Sequence, residues 1–170
     1  INGFASHCGG LVAPSSDDNP WHYKFSWNPR NVILAGKAGA LFQQNGKVTK
    51  LGYKELFSFH QPVQVEGIGE LATYPNRDSL SYMPLYGLEN AETFIRTTLR
   101  YPEFCKGWQW LIDLGCTLEG NTIQTNGLTH RAFFAMHLLR SGYRQEDIPT
   151  DILLLLQSIG WEDDTFIECN

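Results

Sequence analysis

The character of the chain changes at Tyr101-Pro102, and that change limits the available folds more than any single motif. Before it, turn signals are frequent and strand-length stretches alternate with short helical ones. After it, apolar residues recur at helical spacing almost to the end. Strands gathered in one part of a chain and helices in another indicate an α+β fold. We expect residues 1–101 to form an α+β domain, a mixed β-sheet with flanking helices, and residues 102–170 to form a small all-helical subdomain. With 170 residues, 42% hydrophobic and 13% aromatic, the chain can bury one substantial core or two small ones sharing an interface.

Local signals place the elements. Asn45-Gly46 is the strongest hairpin signal and sets strands at 40–44 and 47–51. Further strands are expected at 63–66, 70–74 and 93–101. Asn28-Pro29 supplies a capping side chain and a proline at the first helical position, so a helix should run to about residue 37 and end at Gly39. A short helix over 79–86 should close at Gly87. Pro102 opens a helix to about 114, with Phe104, Trp108, Leu111 and Ile112 on one face and Gly115 as its stop. Thr129 can cap a helix to about 140, and 147–149 starts another that reaches 159. Residues 152–156 are apolar all round, so that last helix must be covered on more than one side, by another domain or a partner chain.

Composition excludes several roles. The net charge is −5 and only 18% of residues are charged, without the basic excess of a nucleic-acid binder. The five tryptophans are therefore read as core. The longest apolar run, 152–156, is far too short for a membrane span. The chain begins Ile-Asn-Gly with no secretory signal pattern and reads as a processed product or an excised domain of a cytoplasmic protein. Its cysteines, at 8, 105, 116 and 169, show no C-x-x-C spacing, so neither a metal site nor a disulfide is expected. Cys105 and Cys116 would sit at opposite ends of one helix, roughly 16 Å apart.

Four stretches carry chemistry-bearing residues. Gly67-Ile68-Gly69-Glu70-Leu71-Ala72 fits a dinucleotide pattern, but Leu71 to Pro75 leads into a turn and supplies no helix, so no nucleotide cofactor is expected on this chain. Ser6-His7-Cys8-Gly9-Gly10 could be a Cys-His pair, a metal site or a turn. Adjacent side chains point apart, so His7 is poorly placed to deprotonate Cys8, whereas the glycines allow backbone N–H groups to approach a ligand. Arg77, in Tyr74-Pro75-Asn76-Arg77-Asp78-Ser79, either forks onto a carboxylate or pairs with Asp78 or another nearby acid. Along the strand before Pro102, alternation puts Arg96, Thr98 and Arg100 on one face and Thr97, Leu99 and Tyr101 on the other. Two arginines on one face are either solvated or line a pocket for a polyanionic small molecule.

Taken together, Ser6-His7-Cys8-Gly9-Gly10-Leu11-Val12-Ala13-Pro14, Asn19-Pro20, Tyr23-Lys24-Phe25-Ser26-Trp27, residues 74–79 and Thr98-Leu99-Arg100-Tyr101 resemble the glutamate-forming saccharopine dehydrogenase (saccharopine reductase) family over roughly residues 3–115. Residues 116–170 resemble it only in character. The resemblance implies an oxidoreductase of lysine metabolism. It joins aminoadipate semialdehyde to glutamate and reduces the imine with NADPH, which is held by an N-terminal Rossmann domain that this chain lacks. The chain then corresponds to the substrate-binding and dimerisation domain, inactive alone and part of a homodimer. The resemblance assigns Cys8, Gly9, Gly10, Arg77, Thr98, Leu99 and Arg100 to binding a saccharopine-like tricarboxylate, with Lys24, Phe25 and Ser26 as further candidates. It assigns no catalytic residue and no metal, and makes SHCGG a turn that brings backbone to the substrate. His7, Val12 and Thr97 stand where the family often has tyrosine, proline and glycine, which leaves room for a relative reducing another imine, as in polyamine synthesis. The alternatives from other classes are a stand-alone carboxylate-binding module and a Cys-His hydrolase.

Overall fold

A computed structural model describes residues 1–170 apart from Trp27, Ala35, Asn121, Cys169 and Asn170. The end of the Tyr23–Trp27 block, one residue of the helix expected up to residue 37, and the fourth cysteine therefore lie outside the described residues.

Seven strands form one mixed sheet: β1 (Gly3–Cys8), β2 (Ala40–Gln44), β3 (Lys47–Leu51), β4 (Gln61–Val65), β5 (Gly69–Pro75), β6 (Arg77–Asp78) and β7 (Thr93–Arg100). The sheet is organised around β7. β1 runs parallel to it, from Gly3 opposite Thr93 to Cys8 opposite Thr98. β5 runs antiparallel along its second half, with Tyr74 opposite Thr98 and Ala72 opposite Arg100. β2 meets its first half at Gln43 opposite Phe94. β3 and β4 are hairpin partners of β2 and β5, and β6 pairs in parallel with β2. The β2–β3 hairpin falls where Asn45-Gly46 puts it, because both residues take left-handed angles, φ 51° and 75°.

The helices are α1 (Pro29–Ile33), α2 (Tyr53–Leu56), α3 (Pro102–Asp113), α4 (His130–Ser141) and α5 (Thr150–Gln157). Asn28 caps α1 by accepting from the Arg30 N–H, and Thr129 caps α4 by accepting from the Ala132 N–H. α1 is shorter than its sequence suggests. Gly36 turns to φ 88° and packs against Leu56, where a side chain would collide, so the helix cannot continue to residue 37. Residues 79–86 form two 3-10 turns, Leu80–Tyr82 and Pro84–Tyr86, and not one helix. Gly87 does close them in the left-handed conformation, φ 65°. Three elements are absent from the sequence reading: α2, the two-residue β6 and the whole of β1. Ser6, His7 and Cys8 are therefore strand and not turn, paired along β7, and the strand ends at Cys8.

One buried cluster runs through both parts of the chain, joining Trp21, Phe42, Phe57 and Tyr74 to Phe104, Trp108, Ile152 and Trp161. The expected apolar face of α3 supplies Phe104, Trp108 and Ile112 to it. Trp21 ties the layers together, its indole N–H donating to the Leu155 carbonyl and the Ser158 hydroxyl, both at 3.0 Å. Gly107 lets α3 come this close, since a Cβ there would lie 2.6 Å from the Trp21 ring. These same groups cover α5, burying Ile152, Leu155 and Leu156 while Leu154 stays 57% exposed. Within this chain the helix is therefore covered on part of its circumference, not all of it. Among the described residues no helix is long and apolar enough to cross a membrane.

Candidate functional site

The site begins with β7. Its alternation sends Arg96, Thr98 and Arg100 to one face, where they line a cavity of about 480 Å³ with Tyr74 of β5 and with Arg77 and Tyr82 of the following segment. Ile95 and Thr97 line a separate cavity on the opposite side. The face holding two arginines is thus neither filled by core residues nor left flat.

The three arginines are held in different ways. Arg77 sits where the chain leaves β5 for β2, exposed and in the left-handed conformation at φ 52°. A side chain there costs roughly 1–2 kcal/mol. Arg77 forms no ion pair among the described residues. Asp78 is otherwise engaged, its Oδ1 accepting from the Leu80 and Ser81 N–H groups at 2.8 and 3.2 Å. Arg96 places its guanidinium 3.9 Å above the centre of the Tyr82 ring. Arg100 donates from Nη1 to the carbonyls of Leu99 (2.8 Å) and Gly10 (3.2 Å), and its buried Nε has no partner. Burial pushes the Tyr74 phenol up to about 12, against the opposing pull of Arg100. Tyr74 is therefore a neutral wall near neutral pH.

Arg100 also lines a second cavity of about 310 Å³, shared with Gly10, Tyr23, Lys24 and Ser26. Six of the ten residues singled out in the sequence, Gly10, Lys24, Ser26, Arg77, Thr98 and Arg100, thus line one or other of two cavities that share Arg100. The other four sit differently. Cys8 is exposed at the end of β1, in register with Thr98. Gly9 packs on the backbone of Leu99, where a Cβ would overlap the carbonyl oxygen. The Leu99 side chain points away from Thr98 and Arg100, and its carbonyl is what Arg100 holds. Phe25 is 52% exposed and lines an apolar cavity with Tyr23 and Trp108. Tyr82 was not foreseen as part of the site, since nothing in its sequence neighbourhood signals a contact with a strand residue fourteen positions later.

The geometry separates His7 from Cys8. The His7 imidazole is bonded to the Thr97 hydroxyl, Nδ1 to Oγ1 at 2.6 Å, on the face away from Cys8. A Cys-His pair is not assembled here. Gly67 and Gly69 form the β4–β5 hairpin turn at φ 76° and 105° and lead into a strand. A pyrophosphate needs a helix N-terminus at that point, so these residues do not fit a nicotinamide dinucleotide. Among the described residues no group of three or more His, Cys, Asp or Glu could hold a metal ion.

Comparison with known proteins decides the family. The saccharopine dehydrogenase C-terminal domain matches residues 1–163. The chain belongs to that family. The match reaches well beyond the 3–115 covered by the motifs and takes in most of the helical part. A saccharopine dehydrogenase [NADP(+), L-glutamate-forming] of Schizosaccharomyces pombe is 43% identical over 115 residues, 68% of this chain and 26% of that protein. The Saccharomyces cerevisiae protein of the same name is 34% identical over 168 residues, 96% of this chain and 36% of that one. The mitochondrial alpha-aminoadipic semialdehyde synthase of Mus musculus is 39% identical over 117 residues, 68% of this chain and 12% of its own length. Among solved structures, apo saccharopine dehydrogenase (L-Glu forming) from Saccharomyces cerevisiae superposes with a TM-score of 0.83 at 30% identity, covering 98% of this chain and 41% of that one. The chain thus spans between 12% and 41% of the length of these proteins. Its mixed sheet with flanking helices is the fold of this saccharopine dehydrogenase domain.

Proposed function

We propose that this chain is the substrate-binding and dimerisation portion of an oxidoreductase of lysine metabolism. The whole enzyme reduces the imine of aminoadipate semialdehyde and glutamate to saccharopine with NADP(H). In this reading the cofactor is held by protein outside these 170 residues, and the isolated chain binds substrate without turning it over. Residues 1–101 form the binding domain and 102–170 the helical subdomain of a cytoplasmic homodimer.

The observation that carries the reading is Arg100. It joins Gly10, Lys24 and Ser26 on one side to Arg77 and Thr98 on the other. Saccharopine presents three carboxylates, and guanidinium forks and backbone donors are the groups that bind carboxylates best. The relatives named above carry the matching activity in their names.

Titrating the 170-residue chain with saccharopine, followed by NMR, tests this. The signals of Gly10, Thr98 and the Arg77 and Arg100 side chains should shift together and saturate. Shifts confined to the apolar cavity around Trp108, or none at millimolar ligand, would overturn the assignment.

A further inference from the structure

Arg96 is bound into the site more tightly than a solvated arginine would be. Its N–H donates to the Ser79 hydroxyl at 3.0 Å, its carbonyl accepts from the Asn76 N–H at 2.8 Å, and its guanidinium stacks on Tyr82 at 3.9 Å. These contacts bracket Arg77 in sequence. The stack covers one face of the guanidinium and leaves its N–H donors on the edge, the geometry that forks onto a carboxylate. Arg96 has no ion pair among the described residues. Arg100, by contrast, spends Nη1 on two backbone carbonyls. Two uncommitted forks, Arg77 and Arg96, therefore face one cavity beside a third guanidinium that is already anchored.

We infer that Arg96, oriented by Tyr82, is a carboxylate-binding residue that makes this cavity selective for tricarboxylates over dicarboxylates. The inference rests on the proposed binding site but not on saccharopine being its occupant. Removing a charge-assisted fork weakens a ligand by about tenfold or more. Tyr82 acts through Arg96 and is a positioning residue.

The test measures affinity of the 170-residue chain for saccharopine, tricarballylate and glutarate by NMR titration. Arg96→Met should weaken both tricarboxylates about tenfold or more and glutarate about threefold or less. Tyr82→Leu should weaken the tricarboxylates in the same sense, Tyr82→Phe should recover most of that loss, and the double variant should be no worse than Arg96→Met alone. Arg96→Lys keeps the charge without the fork and should still lose most of the tricarboxylate affinity, and the glutarate binding retained by each variant guards against a folding defect. Equal losses for glutarate and tricarballylate, unchanged affinities in Arg96→Met, or additive effects of the two sites would overturn the inference. Tricarballylate binding that depends on Arg96, without saccharopine binding, would retain it and sink the proposed function. Loss of saccharopine binding in Arg77→Met but not in Arg96→Met would do the opposite. If no probe binds the wild-type chain, both fail.

Discussion

Gly9 lies so close to Leu99 that a Cβ on residue 9 would overlap the Leu99 carbonyl oxygen and sit 2.9 Å from its Cβ. This contact lets β1 leave β7 and carry Gly10 to Arg100, whose Nη1 takes the Gly10 carbonyl. Gly9→Ala must push the two strands apart, at a cost of about 1–3 kcal/mol. For a chain of this size each kcal/mol lowers the melting temperature by about 2–4 °C. Gly10 has nothing within 4 Å of a built Cβ, so Gly10→Ala should melt close to the wild type. Thermal unfolding of the two variants side by side checks the packing, and equal melting temperatures would refute it.

On α5, neighbouring leucines should behave in opposite ways. Leu155 is 3% exposed and Leu154 is 57% exposed. Leu155→Glu buries a carboxylate in the apolar cluster that holds Trp21 and Trp108, and the chain should fail to fold cooperatively. Leu154→Glu should fold and melt within about 2 °C of the wild type, the range of an ordinary surface change. Aggregation of the Leu154 variant would show that the exposed side chain is covered in solution.

Those leucines show where sequence patterning runs out. An all-apolar run announces burial but does not say which side is left open; that is set by where Trp21 and α3 pack. The Asn45-Gly46 hairpin and the Pro102 helix were legible because each is decided by neighbouring residues. β1 was not, because Gly3–Cys8 is mostly exposed and its partner strand lies ninety residues away. The site divides in the same manner. Alternation along β7 sufficed to bring Arg96, Thr98 and Arg100 to one face. The stack of Arg96 on Tyr82 depends on how two 3-10 turns are placed, which no local pattern specifies.

His137 makes stability depend on pH. Its Nδ1 donates to the Leu114 carbonyl at 3.1 Å, while Nε2 is buried without a partner. Desolvation lowers its pKa from the ordinary 6.5, with a smaller push in the same direction from Arg140 and an opposing one from the Leu114 bond. The unfolded chain therefore takes up this proton at higher pH than the folded chain does. The stabilisation is fully present above about pH 6.5 and is lost as pH falls towards the lowered folded value. Melting temperature measured from pH 8 down to 5 should fall less steeply in His137→Phe than in the wild type. Parallel curves would show that the imidazole is not responsible.

The thiols should separate by reactivity. Burial pushes Cys105 and Cys116 each up to about 12, whereas Cys8 is exposed. At pH 7.5 the buried Cys105 and the half-buried Cys116 hold almost no thiolate, the reactive form. In a Cys169→Ala background, a thiol reagent should label one site at once and two more only after denaturation. Rapid labelling of all three in the native chain would contradict the burial. Cys8→Ser should leave saccharopine binding within about threefold, since among the described residues no side chain is hydrogen-bonded to this thiol and His7 is bonded to Thr97 instead.

Arg77 is the position where stability and binding should move apart. Its left-handed backbone, φ 52°, is one that glycine adopts freely and arginine does not. Relief of that strain is worth roughly 1–2 kcal/mol, and the added freedom of glycine in the unfolded chain takes back about 0.4–1 kcal/mol. Arg77→Gly should therefore melt at the wild-type temperature or up to about 6 °C above it. No salt bridge is lost, because Arg77 has none among the described residues and Asp78 keeps its bonds to Leu80 and Ser81. Binding should go the other way. Without the guanidinium, affinity for saccharopine should fall about 10- to 100-fold, the scale of one charge-assisted carboxylate contact. Arg77→Lys separates charge from geometry: it keeps the strain and the cation but not the two-donor fork, and should weaken binding by nearly as much with no gain in stability. Melting and titration on the same preparations decide the matter. A lower melting temperature in Arg77→Gly with unchanged affinity would mean that the strained backbone serves packing and that the carboxylate is held elsewhere.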